Sequence, residues 1–132
     1  MAEIEVKIES VRQGTLSNEC TLMLKEKTAE RYLPIYIGKS QASRIKELLI
    51  GAPLSEPQEP SLVDNIPEDL ELMSVVINKF EDNDFYAKLR FSRGDKTRDF
   101  RVQLTEAIVT GIRKEVPILV DESVLTKSGI TI

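Results

Sequence analysis

Period-two alternation of apolar and polar side chains constrains this chain more than any other feature. Ile4, Val6 and Ile8 fall at one parity and Glu3, Glu5, Lys7 and Glu9 at the other, as in a strand with one buried face. A turn at Gly14 to Asn18 leads to a second run, Cys20 to Lys25, and then a third, Tyr32 to Ile37. Pro34 has no N–H to give a ladder, so the third run belongs at a sheet edge or a bulge. Leu72 to Phe80 and Pro117 to Val120 also read as strands. Phe85, Ala87, Leu89 and Phe91 face Phe100, Val102 and Leu104 across a hairpin that turns through Arg93-Gly94-Asp95-Lys96.

Helical spacing separates these runs. Ser40 is the expected N-cap of a helix reaching about Ile50, with Ala42, Ile45, Leu48 and Leu49 on one face and Gly51 as its stop. Thr105 is expected to cap a second, with Ile108, Gly111 and Ile112 as its buried stripe and Arg113 and Lys114 suiting its C-terminal dipole. A short helical piece is expected between Leu62 and Leu72, restarting at Pro67, and Asp121 opens a last turn or two. The fold class predicted is α+β: a mixed or antiparallel sheet with strands in hairpins and two to four short helices. No repeat recurs at a fixed period. With 132 residues and 41% hydrophobic content, the whole chain, 1–132, reads as a single domain able to bury its own core. Pro53, Pro57 and Pro60 mark an exposed loop at about 52–61, not a linker, because neither flank is large enough to fold alone.

The side-chain inventory excludes whole classes of chemistry. There is no histidine, so Ser-His-Asp and Cys-His catalysis, histidine bases and histidine zinc sites are out. The one cysteine, Cys20, rules out an internal disulfide and a thiolate cluster, and reads as a small buried hydrophobe of a reduced compartment. Met1 to Glu5 lacks the basic and apolar regions of a leader, and no apolar run approaches the ~18 residues of a membrane span. A cytoplasmic chain with no membrane partner is expected. Gly38-Lys39-Ser40 lies between a strand and a helix like a phosphate loop, yet position 33 holds Leu33 where that loop needs glycine.

The net charge of -4 hides an internal split. Ala52 to Asp84 carries nine acids and one base, whereas Lys88 to Arg101 carries six bases and two acids. Lys88, Arg90 and Arg101 share the parity opposite the hairpin's apolar face, making them the candidate nucleic-acid contacts. Four phosphate contacts on a duplex would give a log–log salt slope near ~ -3.6, hence about 150-fold weaker binding between roughly 50 and 200 mM salt. Without histidine, phosphodiester hydrolysis would need carboxylates holding Mg²⁺ or Mn²⁺, which prefer oxygen ligands. Asp64, Glu106, Asp121 and Glu122 stand near helix starts, where simple capping also explains them.

An ordered set of short segments adds to this. Leu33-Pro34-Ile35-Tyr36-Ile37-Gly38, Phe85-Tyr86-Ala87-Lys88-Leu89, Glu106-Ala107-Ile108, Val116-Pro117-Ile118-Leu119-Val120 and Val124-Leu125 together resemble the bifunctional nuclease domain family, formerly a domain of unknown function. The resemblance runs from about Ile4 to Leu125. It implies a compact α+β domain that self-associates as a homo-oligomer, and DNase and RNase activity. The family's Arg-Pro-x-Thr-His-Asp reads here Glu59-Pro60-Ser61-Leu62-Val63-Asp64, and its Arg-Pro-Ser-Asp-Ala-Ile reads Gln103-Leu104-Thr105-Glu106-Ala107-Ile108. Two arginines and a histidine are therefore replaced, and glutamate or glutamine cannot imitate arginine's two-pronged grip on phosphate. The two acids that remain, Asp64 and Glu106, are the candidate catalytic and metal-binding residues. The competing expectation is a non-catalytic oligomeric interaction module whose acidic segment and basic hairpin meet complementary patches on sister subunits.

Overall fold

The computed structural model describes residues 2–13, 19–51, 67, 69–82 and 84–131. Among them the chain runs β1 (Glu3–Gln13), β2 (Cys20–Glu26), β3 (Arg31–Ile37), α1 (Lys39–Ile50), β4 (Glu71–Glu81), β5 (Asp84–Arg93), β6 (Lys96–Val102), α2 (Leu104–Lys114), β7 (Ile118–Asp121), α3 (Glu122–Ser128) and β8 (Ile130–Thr131). The expected α+β class is borne out as one domain built on a mixed eight-stranded sheet, ordered β6-β5-β4-β7-β1-β2-β3-β8. Only the β4–β7 pair is parallel. A symmetry invisible in the residues appears in this order. Two β-β-β-α units, β1 to α1 and β4 to α2, flank β7.

The hairpin forms in the expected register. Ala87 faces Val102, Leu89 faces Phe100, and Arg93 and Lys96 close the ladder. Gly94 takes the left-handed conformation, with φ 63°, that the two-residue turn requires. Leu104 does not extend β6, because it is the first residue of α2. Pro34 sits where its missing donor is harmless: β8 pairs only with Arg31 and Tyr32, so among the described residues β3 is an open edge from Leu33 onward. β8 itself was not expected, since two residues carry no alternation to detect. The helical piece expected between Leu62 and Leu72 lies mostly outside the described residues. Its described end is a turn closed by the Leu70 N–H on the Pro67 carbonyl, after which Glu71 opens β4. The Gly14 to Asn18 turn and the 52–61 loop also lie outside them.

Both main helices begin earlier than their hydroxyl residues suggest. The N-caps are Gly38 and Gln103, which puts Ser40 and Thr105 inside the first turns. At Gly38 the Gln41 side chain does the capping, accepting the Gly38 N–H at 2.9 Å. Gly51 ends α1 as expected, in the left-handed region at φ 69°. Ala42 and Ile45 are buried, but Leu49 points outward. α2 buries Ala107 to Gly111 without a break because α1, β4 and β5 all pack on it. Gly111 lets it come close: a Cβ there would stand 3.1 Å from Val75 Cγ2. Asp121 caps α3, accepting the Ser123 N–H.

Leu22, Leu24, Leu33, Ile35, Ile45, Ile77, Leu89, Ile108 and Leu125 are fully buried, each contributing about 1.5–3 kcal/mol of burial free energy. Cys20 is buried among them, as expected. On β4 four consecutive residues, Ser74 to Ile77, are buried, because α2 and α3 both pack on this strand.

The sheet must curl strongly. At ~4.8 Å per strand a flat sheet would hold β3 and β4 about 19 Å apart, since β7, β1 and β2 lie between them. Both nevertheless touch α3. The curl carries the open edge of β3 toward the β4–β6 end and leaves a space between them.

Candidate nucleic-acid interface

That space is an open groove of about 950 Å³. The outer half of β3 forms one wall, with Tyr36 at 70% exposure standing out from it. Phe85, Tyr86 and Arg101 form the facing wall, and Gln41 and Thr105, from the first turns of α1 and α2, line one end. Tyr36 points outward because its neighbours Ile35 and Ile37 take the core parity. Across the groove, the Arg101 guanidinium lies 5.9 Å from the centre of the Tyr86 ring, within the range of cation–π attraction.

Of the three expected nucleic-acid contacts, only Arg101 lines this groove. Lys88 and Arg90 belong to an ionic network made within the chain. Arg90 donates two hydrogen bonds to Glu3, at 2.6 and 2.8 Å, and a third to Asp99 at 3.2 Å. Lys88 meets the same Asp99 at 2.9 Å. Glu3 lies on β1, two strands beyond β5's neighbour β4, so this pairing also depends on the curl. The Arg90 hydrogen bonds hold the Glu3 carboxyl below its ordinary value and raise Arg90 above its own. Burial pushes the Asp99 carboxyl up, and the bonds from Lys88 and Arg90 outweigh it, leaving the group lowered.

Arg90 is therefore a structural residue by its contacts. Arg90→Met should leave the partly buried Glu3 carboxylate without its donor and Asp99 with Lys88 alone, and cost about 2 kcal/mol in urea denaturation. Lys88→Met, which removes a single contact and leaves Asp99 its Arg90 donor, should cost under about 1 kcal/mol. Equal stability of wild type and Arg90→Met would show the network to be energetically idle.

Glu106 sits in the first turn of α2, facing α1. Its Oε2 lies 3.8 Å from Arg44 Nη1, while Oε1 is buried and accepts no hydrogen bond among the described residues. A carboxylate oxygen in that state is an acceptor with capacity to spare for a proton, a water or a cation. Asp64 lies outside the described residues. Among the described residues no three histidine, cysteine or carboxylate side chains gather as a metal site, and no helix is long and apolar enough to cross a membrane. Asp121 and Glu122 serve α3, the first as its cap and the second in an ion pair with Arg31.

Tyr36 and Tyr86 were not expected as site residues, although a signal existed. Tyr36 stands at the outward parity of its strand, and Tyr86 shares the parity of Lys88 and Arg90. Alternation that places cations outward also places these rings.

A curled eight-stranded α+β domain with an aromatic and cationic groove at its open edge is thus the class that fold and site define. The chain belongs to the bifunctional nuclease domain family, whose sequence model matches residues 22–132. Two uncharacterized proteins of Mycobacterium tuberculosis, MT1877 and Rv1829, are each 32% identical to it over 130 residues, covering 97% of this chain and 77% of theirs.

Proposed function

We propose that this chain is a nucleic-acid-cleaving domain whose substrate strand lies in the groove, with Arg101 against a phosphate. The observation that carries the reading is the pairing of Tyr36 on one wall with Tyr86 and Arg101 on the other, in a family described as a nuclease domain. Aromatic faces take bases and guanidinium takes phosphate, so one groove offers both halves of a nucleotide a partner. Cleavage would draw on Mg²⁺ or Mn²⁺ held by Asp64 and Glu106. The Oε1 of Glu106, which accepts no hydrogen bond among the described residues, fits a hard cation's need for oxygen. Such an ion would supply an activated water and stabilise the leaving oxygen.

The competing interaction-module reading relied on the hairpin's bases meeting acids of another subunit. Lys88 and Arg90 already have carboxylate partners inside the chain, which withdraws them from a sister subunit's acids and from phosphate alike, so the nucleic-acid reading rests on Arg101 and the two tyrosines. We place the protein in the cytoplasm as a homo-oligomer, a state that light scattering of the purified protein measures. The test of function is digestion of single- and double-stranded DNA and RNA with Mg²⁺ or Mn²⁺, comparing wild type with Asp64→Ala plus Glu106→Ala. Cleavage by wild type alone is expected. Cleavage by neither overturns the nuclease reading, and equal cleavage by both overturns the two roles.

A further inference from the structure

Resting on the nucleic-acid reading of the groove, we infer that the strand it takes is unpaired: single-stranded DNA or RNA, with one base on the Tyr36 ring and another against Tyr86. The first ground is access. Tyr36 is 70% exposed on one wall and Tyr86 lines the other, so the groove offers a ring on each side. A duplex hides its base faces in its own stack, and only an unpaired base can lie on an aromatic ring.

The second ground is charge. Duplex affinity comes mainly from many neutralised phosphates, and this surface has few cations to give. Among the described residues the groove is lined by one cation, Arg101, and one anion, Asp84. Lys79, also 5.9 Å from the centre of the Tyr86 ring, is paired with Glu81, and the neighbouring Lys88 and Arg90 are committed to Asp99 and Glu3, while the chain carries a net charge of -4. Affinity must then come from stacking more than from counterion release. One phosphate contact on a single strand gives a log–log salt slope near ~ -0.7, or about threefold weaker binding from roughly 50 to 200 mM salt. A duplex held by four contacts would weaken about 150-fold over the same range.

The third ground is size. At about 950 Å³, the groove lies near the top of the ~300–1,000 Å³ range of small-ligand clefts. Its walls belong to an open strand edge and a strand end, so a chain can enter and leave it without threading.

The experiment is fluorescence anisotropy of the full chain with a labelled oligo(dT) and oligo(U) of about ten nucleotides and a hairpin duplex of matching length, in EDTA to prevent cleavage. The single strands should bind at least about tenfold more tightly than the duplex, with a salt response near threefold. Tyr36→Ala should weaken single-strand binding about tenfold, and Tyr36→Phe, which keeps the ring, should restore it. Circular dichroism checks that Tyr36→Ala is folded, as expected for so exposed a side chain. Duplex binding as tight as single-strand binding, or a Tyr36→Ala variant with unchanged affinity, overturns this inference while the digestion assay still decides cleavage. Failure of every oligonucleotide to bind, together with no cleavage, overturns the nuclease reading as well.

Discussion

Arg31→Ala is expected to be the most destabilising single exchange of a charged residue in this molecule, at about 2–4 kcal/mol. Arg31 donates from Nε to Glu26 at 3.0 Å and from both terminal nitrogens to Glu122, at 2.9 and 3.0 Å. One guanidinium therefore ties the start of β3 to the end of β2 and to the first turn of α3. The cost falls on Glu26, whose side chain is only 10% exposed and loses its guanidinium donor. A buried carboxylate in that state loses far more than an exposed ion pair does. In thermal unfolding the difference should read as a fall of roughly 10 °C.

Acid separates this clamp from ordinary packing. The Arg31 hydrogen bond is the main cause holding the Glu122 carboxyl below its ordinary value of 4.5. A group lowered on folding stabilises the native state fully above its unfolded value, and that contribution fades as pH falls through the lower folded one. The stability gap between wild type and Arg31→Ala should thus be widest at neutral pH and narrow below about pH 4.5. Equal melting temperatures at pH 7, or a gap that widens in acid, would contradict this account of Arg31.

How much of this could be read from the residues depended on whether a feature was local. Strands, the hairpin and its turn follow from alternation over a few positions and from Gly94, so they appear where expected. Helix starts missed by two residues: at α1 the Gln41 side chain caps Gly38 in place of the expected hydroxyl, and the N-cap of α2 is Gln103, with no side-chain cap. What alternation cannot report is which strands become neighbours. The sheet order sets β7 between β4 and β1, and the curl then brings Glu3 to Arg90 across 87 positions of sequence. That long-range pairing takes up Arg90, and the cross-hairpin contact to Asp99 takes up Lys88, so two expected phosphate contacts become a structural network. Arg101, of the same parity and the same hairpin, escapes it because its neighbour is the Tyr86 ring. The groove was illegible for the same reason, since its two walls come from opposite ends of one curled sheet.

Loss of cleavage by at least about 100-fold is expected when Asp64 and Glu106 are both replaced, and the two roles Glu106 could play give opposite patterns. If Glu106 serves mainly as the partner of Arg44, Glu106→Gln should lower stability and leave cleavage intact. If its free oxygen holds a cation, the same variant should lose cleavage and keep its fold. The geometry favours the second pattern. The Arg44 contact is long at 3.8 Å, and the buried Oε1 accepts no hydrogen bond among the described residues. An amide of the same shape removes that unsatisfied charge, so the melting temperature should stay level or rise. A level or higher melting temperature would mean that the carboxylate in this position costs stability, which fits a group kept for its chemistry better than one kept for packing. A metal ligand also leaves its mark on concentration dependence: wild-type rates should saturate with Mg²⁺ or Mn²⁺, and Glu106→Gln should need much more of either ion. A variant that melts lower, cleaves at the wild-type rate and saturates at the same ion concentration would assign Glu106 to Arg44 alone and leave Asp64 without its partner.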